Sequence, residues 1–238
     1  DKLAPFYQAR EKETSISREL MREMGGLGLI GVDLPEEYGG LSSDSVTAGL
    51  VMGMIASGDM NVAYVQLLGS LMGSIMCRHA PPELAKEVGG GICAGSTLVA
   101  LGLTEPRGGS DAGNLILKAE RDAKGYVLNG EKTSISLVAQ ADSIILLART
   151  GNAGASGVTG FYVPLDLPGV SRTTFNDLGS KIIGRGSVFF DNVRVPAEYR
   201  IGDEGAGFRQ VMQGFDYSRA LIGLQVLAPA WESLRETS

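Results

Sequence analysis

The sequence predicts an α+β chain with helices first, then short strands, then one further helix. Three observations carry this. Apolar residues recur at helical spacing through residues 1–93, they shift to short β-rich runs punctuated by Gly, Pro, Asn and Asp through 94–205, and the helical period returns over 206–238. The first helix is expected from Thr14 to Met24, where Ile16, Leu20, Met21 and Met24 form one stripe, with Gly25-Gly26 ending it. Leu34-Pro35 through Gly39-Gly40 reads as a connector. Ser45 to His79 is apolar on all sides and is expected to be buried, with Met52, Met54, Met60, Met72 and Met76 as core filler. Pro81-Pro82 opens a short helix over 83–87. Residues 119–130 read as two strands around an Asp/Lys/Gly turn, and 143–148, 160–164 and 187–195 as further strands, a spacing that favours a barrel or a sandwich. The last helix runs through Val211, Met212, Phe215 and Leu221 to Trp231.

Composition narrows the function classes. With 21 Lys+Arg against 27 Asp+Glu the net charge is −6, which argues against nucleic acid or an anionic membrane as the main partner while leaving room for a local basic pocket. Cys77 and Cys93 are the only cysteines, so a disulfide framework is not expected and a reducing, cytoplasmic setting is the default. No uninterrupted apolar run approaches the ~18 residues of a membrane span. Glycine is abundant, with 34 residues at about twice the ~7% average usage, which implies many turns and close backbone approaches.

The chemistry concentrates in Leu103-Thr104-Glu105-Pro106-Arg107-Gly108-Gly109-Ser110-Asp111, followed by Asn129-Gly130-Glu131-Lys132. A Thr-Glu-Pro turn running into Gly-Gly-Ser-Asp gathers backbone N–H groups, two hydroxyls and permissive glycines on one loop, a combination suited to a flat, phosphorylated ligand. Glu105 reads as a cap for neighbouring amides rather than a base, and Asp111 as a brace for the loop. Gly26-Leu27-Gly28-Leu29-Ile30-Gly31 matches G-x-G-x-x-G, but a helix precedes it and Leu34-Pro35 follows, so it reads as a helix-ending turn and not as a dinucleotide fingerprint. His79, the single histidine, reads as a helix-terminal residue, and one histidine makes no metal cluster. Arg185, between two glycines, reads as a solvated turn.

These segments resemble the acyl-CoA dehydrogenase family, whose signature is T-E-P-x-A/G-G-S-D followed by N-G-x-K-x-W-I-T. The resemblance extends through Pro35-Glu36-Glu37-Tyr38-Gly39-Gly40, Thr159 to Pro164, Phe190 to Pro196, Gly202-x-x-Gly205-x-Gly207-Phe208 and Phe215-Asp216-Tyr217-Ser218-Arg219. It implies a helical N-terminal domain (1–93), a flavin-binding β-barrel middle domain (94–205) and the first helix (206–238) of a C-terminal helical bundle, in a homotetramer. It implies FAD as cofactor, an acyl-CoA as substrate and electron-transfer flavoprotein as acceptor. Leu101, Leu103, Thr104, Gly109, Ser110, Ser134 and Ser136 are the implied cofactor contacts, and Ser110, Asp216 and Arg219 the implied substrate contacts. Ser134 stands where the family has Trp, Ser136 where it has Thr, and 181–190 is several residues shorter than usual. In some members the base precedes the arginine of F-D-x-x-R; here that position is Ser218, which is no base, so the base is expected beyond Ser238. Two alternatives remain: an oxidase or monooxygenase on the same scaffold, and a non-catalytic assembly subunit.

Overall fold

The structure is a computed structural model and describes residues 2–238. Its α-helices are α1 (Tyr7–Arg10), α2 (Arg18–Gly26), α3 (Ser45–Gly58), α4 (Met60–His79), α5 (Pro82–Cys93) and α6 (Gly207–Thr237). Its strands are β1 (Val99–Gly102), β2 (Lys118–Asp122), β3 (Gly125–Ile135), β4 (Ser143–Arg149), β5 (Val158–Pro164), β6 (Val170–Thr174), β7 (Gly186–Pro196) and β8 (Arg200–Ile201). Five helices, a sheet and a last helix follow the expected order. The details differ where local signals compete.

The apolar stretch from Ser45 to His79 divides at Asp59, whose carboxylate accepts the Asn61 and Val62 amides and so caps α4. Arg10 donates to the same carboxylate at 2.6 Å, so this buried capping charge is also paired. Fourteen of the twenty α4 residues are buried, as its all-round apolar pattern requires. That helix is also long and apolar enough by composition to cross a bilayer, which run length alone did not show; here it is a core helix beneath α3, α5 and α6. The α3 helix departs from the expectation of burial. Val46, Leu50 and Met54 are 66–75% exposed on one face, and only the opposite face, with Ala48, Met52, Ile55 and Ala56, is in the core. Met54 is therefore not core filler.

Helix α2 begins at Arg18, capped by Ser17, and includes both Gly25 and Gly26; it is Gly28, at φ +72°, that turns the chain. The literal G-x-G-x-x-G thus lies across a helix end. The α5 helix runs well past the expected 83–87, through three consecutive glycines, because its apolar face of Leu84, Ala85, Val88, Ile92 and Cys93 is buried. Tertiary burial outweighs the poor helix propensity of glycine there.

The eight strands form one sheet in the order β6-β7-β3-β2-β4-β5-β8, with β1 parallel to β4. Its two halves join at a single pair, Lys118 with Arg149, and β1 and β2 lie successively along the same edge of β4. The sheet folds on itself around Tyr126, Leu128, Ile144, Leu146, Phe161 and Val188, all at most 2% exposed. The path ends at β6 and β8, so the barrel-like wrap is open in its hydrogen bonding. The helical part is clamped to the sheet by Arg18, which donates bidentately to Asp142 at 2.7 and 2.9 Å, while Asp142 also accepts the Leu98 amide. The α6 helix crosses back over α3 and α4, where Gln225 donates to the Met60 carbonyl and Gly49 lies against Leu224.

Gly95 sits where α5 gives way to β1, at φ +67°, and a Cβ there would lie 2.0 Å from the Met21 carbonyl oxygen. Both the backbone conformation and the contact demand glycine. Gly95→Ala is expected to lower unfolding stability by more than about 2 kcal/mol, read from the denaturant midpoint at unchanged slope. An unchanged midpoint would show that the α2–α5 contact is looser than this geometry.

Candidate active-site loop

The loop from Leu103 to Leu117 leaves β1 and returns to β2, and buried polar contacts hold it at both ends. Glu105 is 5% exposed, and its two carboxylate oxygens accept the amides of Leu117 and Ile116, each at 2.8 Å. Lys132 donates to Glu105 Oε1 at 2.9 Å and to the Leu103 carbonyl at 3.0 Å. The Thr133 amide donates to the Thr104 carbonyl at 2.9 Å. On the far side Arg149 spreads its guanidinium over the carbonyls of Leu115, Gly113, Asn152 and Gly154 at 2.6–2.9 Å, tying the loop to the β4–β5 connection. Asp111 accepts the Asn114 side-chain amide, so it braces the loop as expected.

Lys132 is fully buried because of strand parity. Tyr126, Leu128 and Lys132, at even spacing, are the buried positions on one face of β3, so the pleat directs the ammonium into the protein. Burial pulls its pKa down to about 8, against the attraction of Glu105. Burial pushes the Glu105 carboxyl up, but the Leu117, Lys132 and Ile116 hydrogen bonds outweigh that and hold it below the ordinary range. A carboxylate stabilised in this way is a poor proton acceptor.

The register of β3 with β7 breaks between Lys132 and Ile135, and Ser134 sits in that irregularity at φ +56°. It is exposed at the surface, whereas Ser136 is half-buried just beyond the strand. Leu101, Leu103 and Thr104 are half-buried, and Gly109 and Ser110 lie on the exposed tip. The tip lines a concavity of about 300 Å³ with Leu103, Arg107, Ser110 and Leu115. Among the described residues the hydroxyls of Thr104, Ser110, Ser134 and Ser136 and the amides of Gly109 and Ser110 make no hydrogen bond within the chain. The fold therefore brings the start of the loop beside the end of β3 through the Thr133–Thr104 bond, while of these free groups only those of Gly109 and Ser110 line the concavity; Leu101, Thr104, Ser134 and Ser136 lie outside its lining.

Asp216 and Arg219 are placed apart from this group. They pair with each other at 3.0 Å on the exposed side of α6, and no hydrogen bond among the described residues links either to the loop. Arg185 is not a free solvated turn: it is paired with Asp177 at 2.8 and 3.0 Å and lies over Phe175. Sequence reading assigned no role to Lys132 or Arg149. The signal for Lys132 was present, as a lysine at the inward position of an alternating strand.

Such a scaffold is an α+β fold with a preorganised polar loop beside an open-barrel sheet. Residues 1–96 match the family description "Acyl-CoA dehydrogenase, N-terminal domain" and residues 100–193 match "Acyl-CoA dehydrogenase, middle domain". A probable acyl-CoA dehydrogenase of Bacillus subtilis is 30% identical over 98% of the chain and 62% of that relative. A glutaryl-CoA dehydrogenase in complex with glutaryl-CoA superposes with TM-score 0.91 at 31% identity, over 95% of this chain and 59% of that one. A Mycobacterium smegmatis glutaryl-CoA dehydrogenase in complex with FADH2 gives TM-score 0.90 at 28% identity, over 98% and 60%. The chain belongs to the acyl-CoA dehydrogenase family, and it spans about three fifths of the length of these relatives.

Removing one member of a buried ion pair leaves the other charge uncompensated. Lys132→Met is expected to cost about 3–5 kcal/mol, and the double variant Lys132→Met/Glu105→Gln less than the sum of the single losses in a denaturation cycle. Strict additivity would mean that the two groups are not coupled. The Glu105 contribution has a definite pH sign. Its folded pKa lies below the unfolded value, so its stabilisation is present above about pH 4.3 and is lost as pH falls through the folded pKa. Glu105→Gln is expected to flatten that part of the acid unfolding profile.

Proposed function

We propose that this chain forms the cofactor- and thioester-binding part of an FAD-dependent acyl-CoA dehydrogenase, working as a cytoplasmic homotetramer that passes electrons to an electron-transfer flavoprotein. The reaction removes a proton from Cα and a hydride from Cβ of an acyl-CoA. The observation that carries this reading is the loop itself: it is held at both ends by buried contacts, while the groups on its ligand side are left without partners. FAD, when bound, supplies the hydride acceptor.

The residues present fit that cofactor. Leu101 and Leu103 offer apolar contact beside the Thr104 hydroxyl, and the amides of Gly109 and Ser110 are free to donate to a pyrophosphate. Ser134 and Ser136 offer hydroxyls from the end of β3. Because Lys132, Thr133 and Glu105 fix the loop before any ligand arrives, little ordering is required on binding. Ser110 is assigned to the cofactor–substrate junction, and Asp216 and Arg219 to the acyl-CoA.

The α-proton requires a carboxylate poised at Cα. Glu105 is committed to two amides and an ammonium, Asp111 to Asn114, and Asp216 to Arg219. None of these three carboxylates is free to serve, and the group that takes the α-proton is left unassigned. The two relatives crystallised with glutaryl-CoA and with FADH2 support the ligand classes, while the acyl group of this chain's substrate is left open.

The purified protein is expected to carry an oxidised flavin absorption band. Thr104→Val together with Ser136→Ala is expected to weaken FAD binding about tenfold, since each hydrogen bond contributes about 0.5–1.5 kcal/mol. An anaerobic titration with acyl-CoA thioesters then tests the reaction: bleaching of the band by one thioester class supports the dehydrogenase. A flavin reduced by no thioester but reactive with oxygen once reduced would favour an oxidase or monooxygenase. Absence of flavin affinity would favour an assembly subunit and overturn the enzyme reading.

A further inference from the structure

A second polar concavity lies where α4 ends and α6 begins. The Gly202 amide donates to the His79 carbonyl at 2.8 Å, joining the β8–α6 connection to the last turn of α4. The resulting hollow of about 350 Å³ is lined by Arg78, His79, Arg209, Gln210 and Gln213, with Asp203 as its one carboxylate. Arg78 and Arg209 are exposed, and neither forms an ion pair among the described residues. His79 is held below its ordinary pKa by burial and by the neighbouring charges of Arg78 and Arg209, so both guanidiniums act on this hollow.

Two features favour an acceptor in this hollow. The 31-residue α6 starts here with Ala206 at its N-cap, which provides no side-chain cap for the first-turn amides. Gln210 is 7% exposed, lines the hollow and makes no side-chain hydrogen bond among the described residues. It lies so close to Gly202 that a Cβ there would meet its amide nitrogen at 2.1 Å. Its amide is not among the fully buried polar atoms that lack a partner, so it opens onto the hollow and is free to donate to a ligand there, beside the uncapped helix start and two unpaired guanidiniums.

We propose that this corner binds a phosphate group, through Arg78, Arg209 and the Gln210 amide beside the N-terminus of α6. The chemistry is shared by free phosphate and by the phosphate of a carrier such as coenzyme A. Only the second source rests on the dehydrogenase reading.

His79 is the single histidine, so its imidazole proton signal in NMR is unambiguous. Inorganic phosphate at constant ionic strength is expected to shift the His79 titration midpoint upward by about half a pH unit or more, because a nearby anion favours the imidazolium. In Arg78→Ala/Arg209→Ala the phosphate dissociation constant is expected to rise about tenfold or more. In Gln210→Met, checked for an unchanged thermal midpoint, it is expected to rise less. Coenzyme A and its 3′-dephospho form separate the sources: a preference for coenzyme A that disappears in the double variant assigns the site to the carrier's 3′-phosphate, equal binding of both that is lost in the double variant assigns it to the carrier's diphosphate, and binding of inorganic phosphate with neither coenzyme form bound assigns it to free phosphate. A phosphate response no larger than that of chloride, or one unaltered in the double variant, would overturn the proposal. The readout needs no flavin and no turnover, so its failure and that of the dehydrogenase reading are distinguishable.

Discussion

The buried pair between Glu105 and Lys132 is the constraint on which the site depends. An isolated ammonium at that depth would lose its proton, and an isolated carboxylate would gain one. Together, with the Ile116 and Leu117 amides and the Leu103 carbonyl completing their hydrogen bonds, the two charges define one position for the loop. Such a pair need not add much net stability compared with apolar residues of the same volume. What it provides is register: the chain that leaves β1 and the chain that enters β2 are both referred to one inward-facing side chain of β3. Arg149 repeats the device on the opposite side, spending its donors on four backbone carbonyls.

This arrangement explains why Glu105, although it lies in the loop, is a poor proton acceptor. Glu105 lies within the signature, and a motif reading alone invites a catalytic role. Its acceptor capacity is instead used in holding the loop, and the same hydrogen bonds that hold it lower its basicity. The groups on the loop left without internal partners are hydroxyls and amides, which can orient a ligand but are no proton acceptors at neutral pH.

Much of the architecture was legible in the residues, for identifiable reasons. Strands β3, β4, β5 and β7 alternate or run apolar between turn residues, so their positions follow from period alone. Strands β1, β6 and β8 were not foreseen: β1 is four residues long and β8 two, and β6 is exposed along nearly its whole length, which leaves no burial pattern to read. The break at Asp59 was hidden because one buried capping carboxylate interrupts an otherwise continuous apolar run. The exposed face of α3 was hidden for a related reason, since composition shows that a helix is apolar but not which neighbours cover it. At the site, the loop and the β3 terminus were readable as a motif. The αL conformation of Ser134 was not, since it arises from a register break against β7, a property of pairing between distant segments.

Charge shows the same division between what composition gives and what placement gives. A net charge of −6 argues against a large polyanion as partner, because such a partner meets the summed field. A single phosphate group meets only what lies within about a Debye length, roughly 8–10 Å at physiological salt. At the α4–α6 corner that neighbourhood contains two guanidiniums, an imidazole, an uncapped helix start and one carboxylate. An acidic protein can thus present a local site for an anion without becoming a general anion binder. The net charge of −6 disfavours larger polyanions, so the overall balance that argues against nucleic acid is compatible with local recognition of a small phosphorylated ligand.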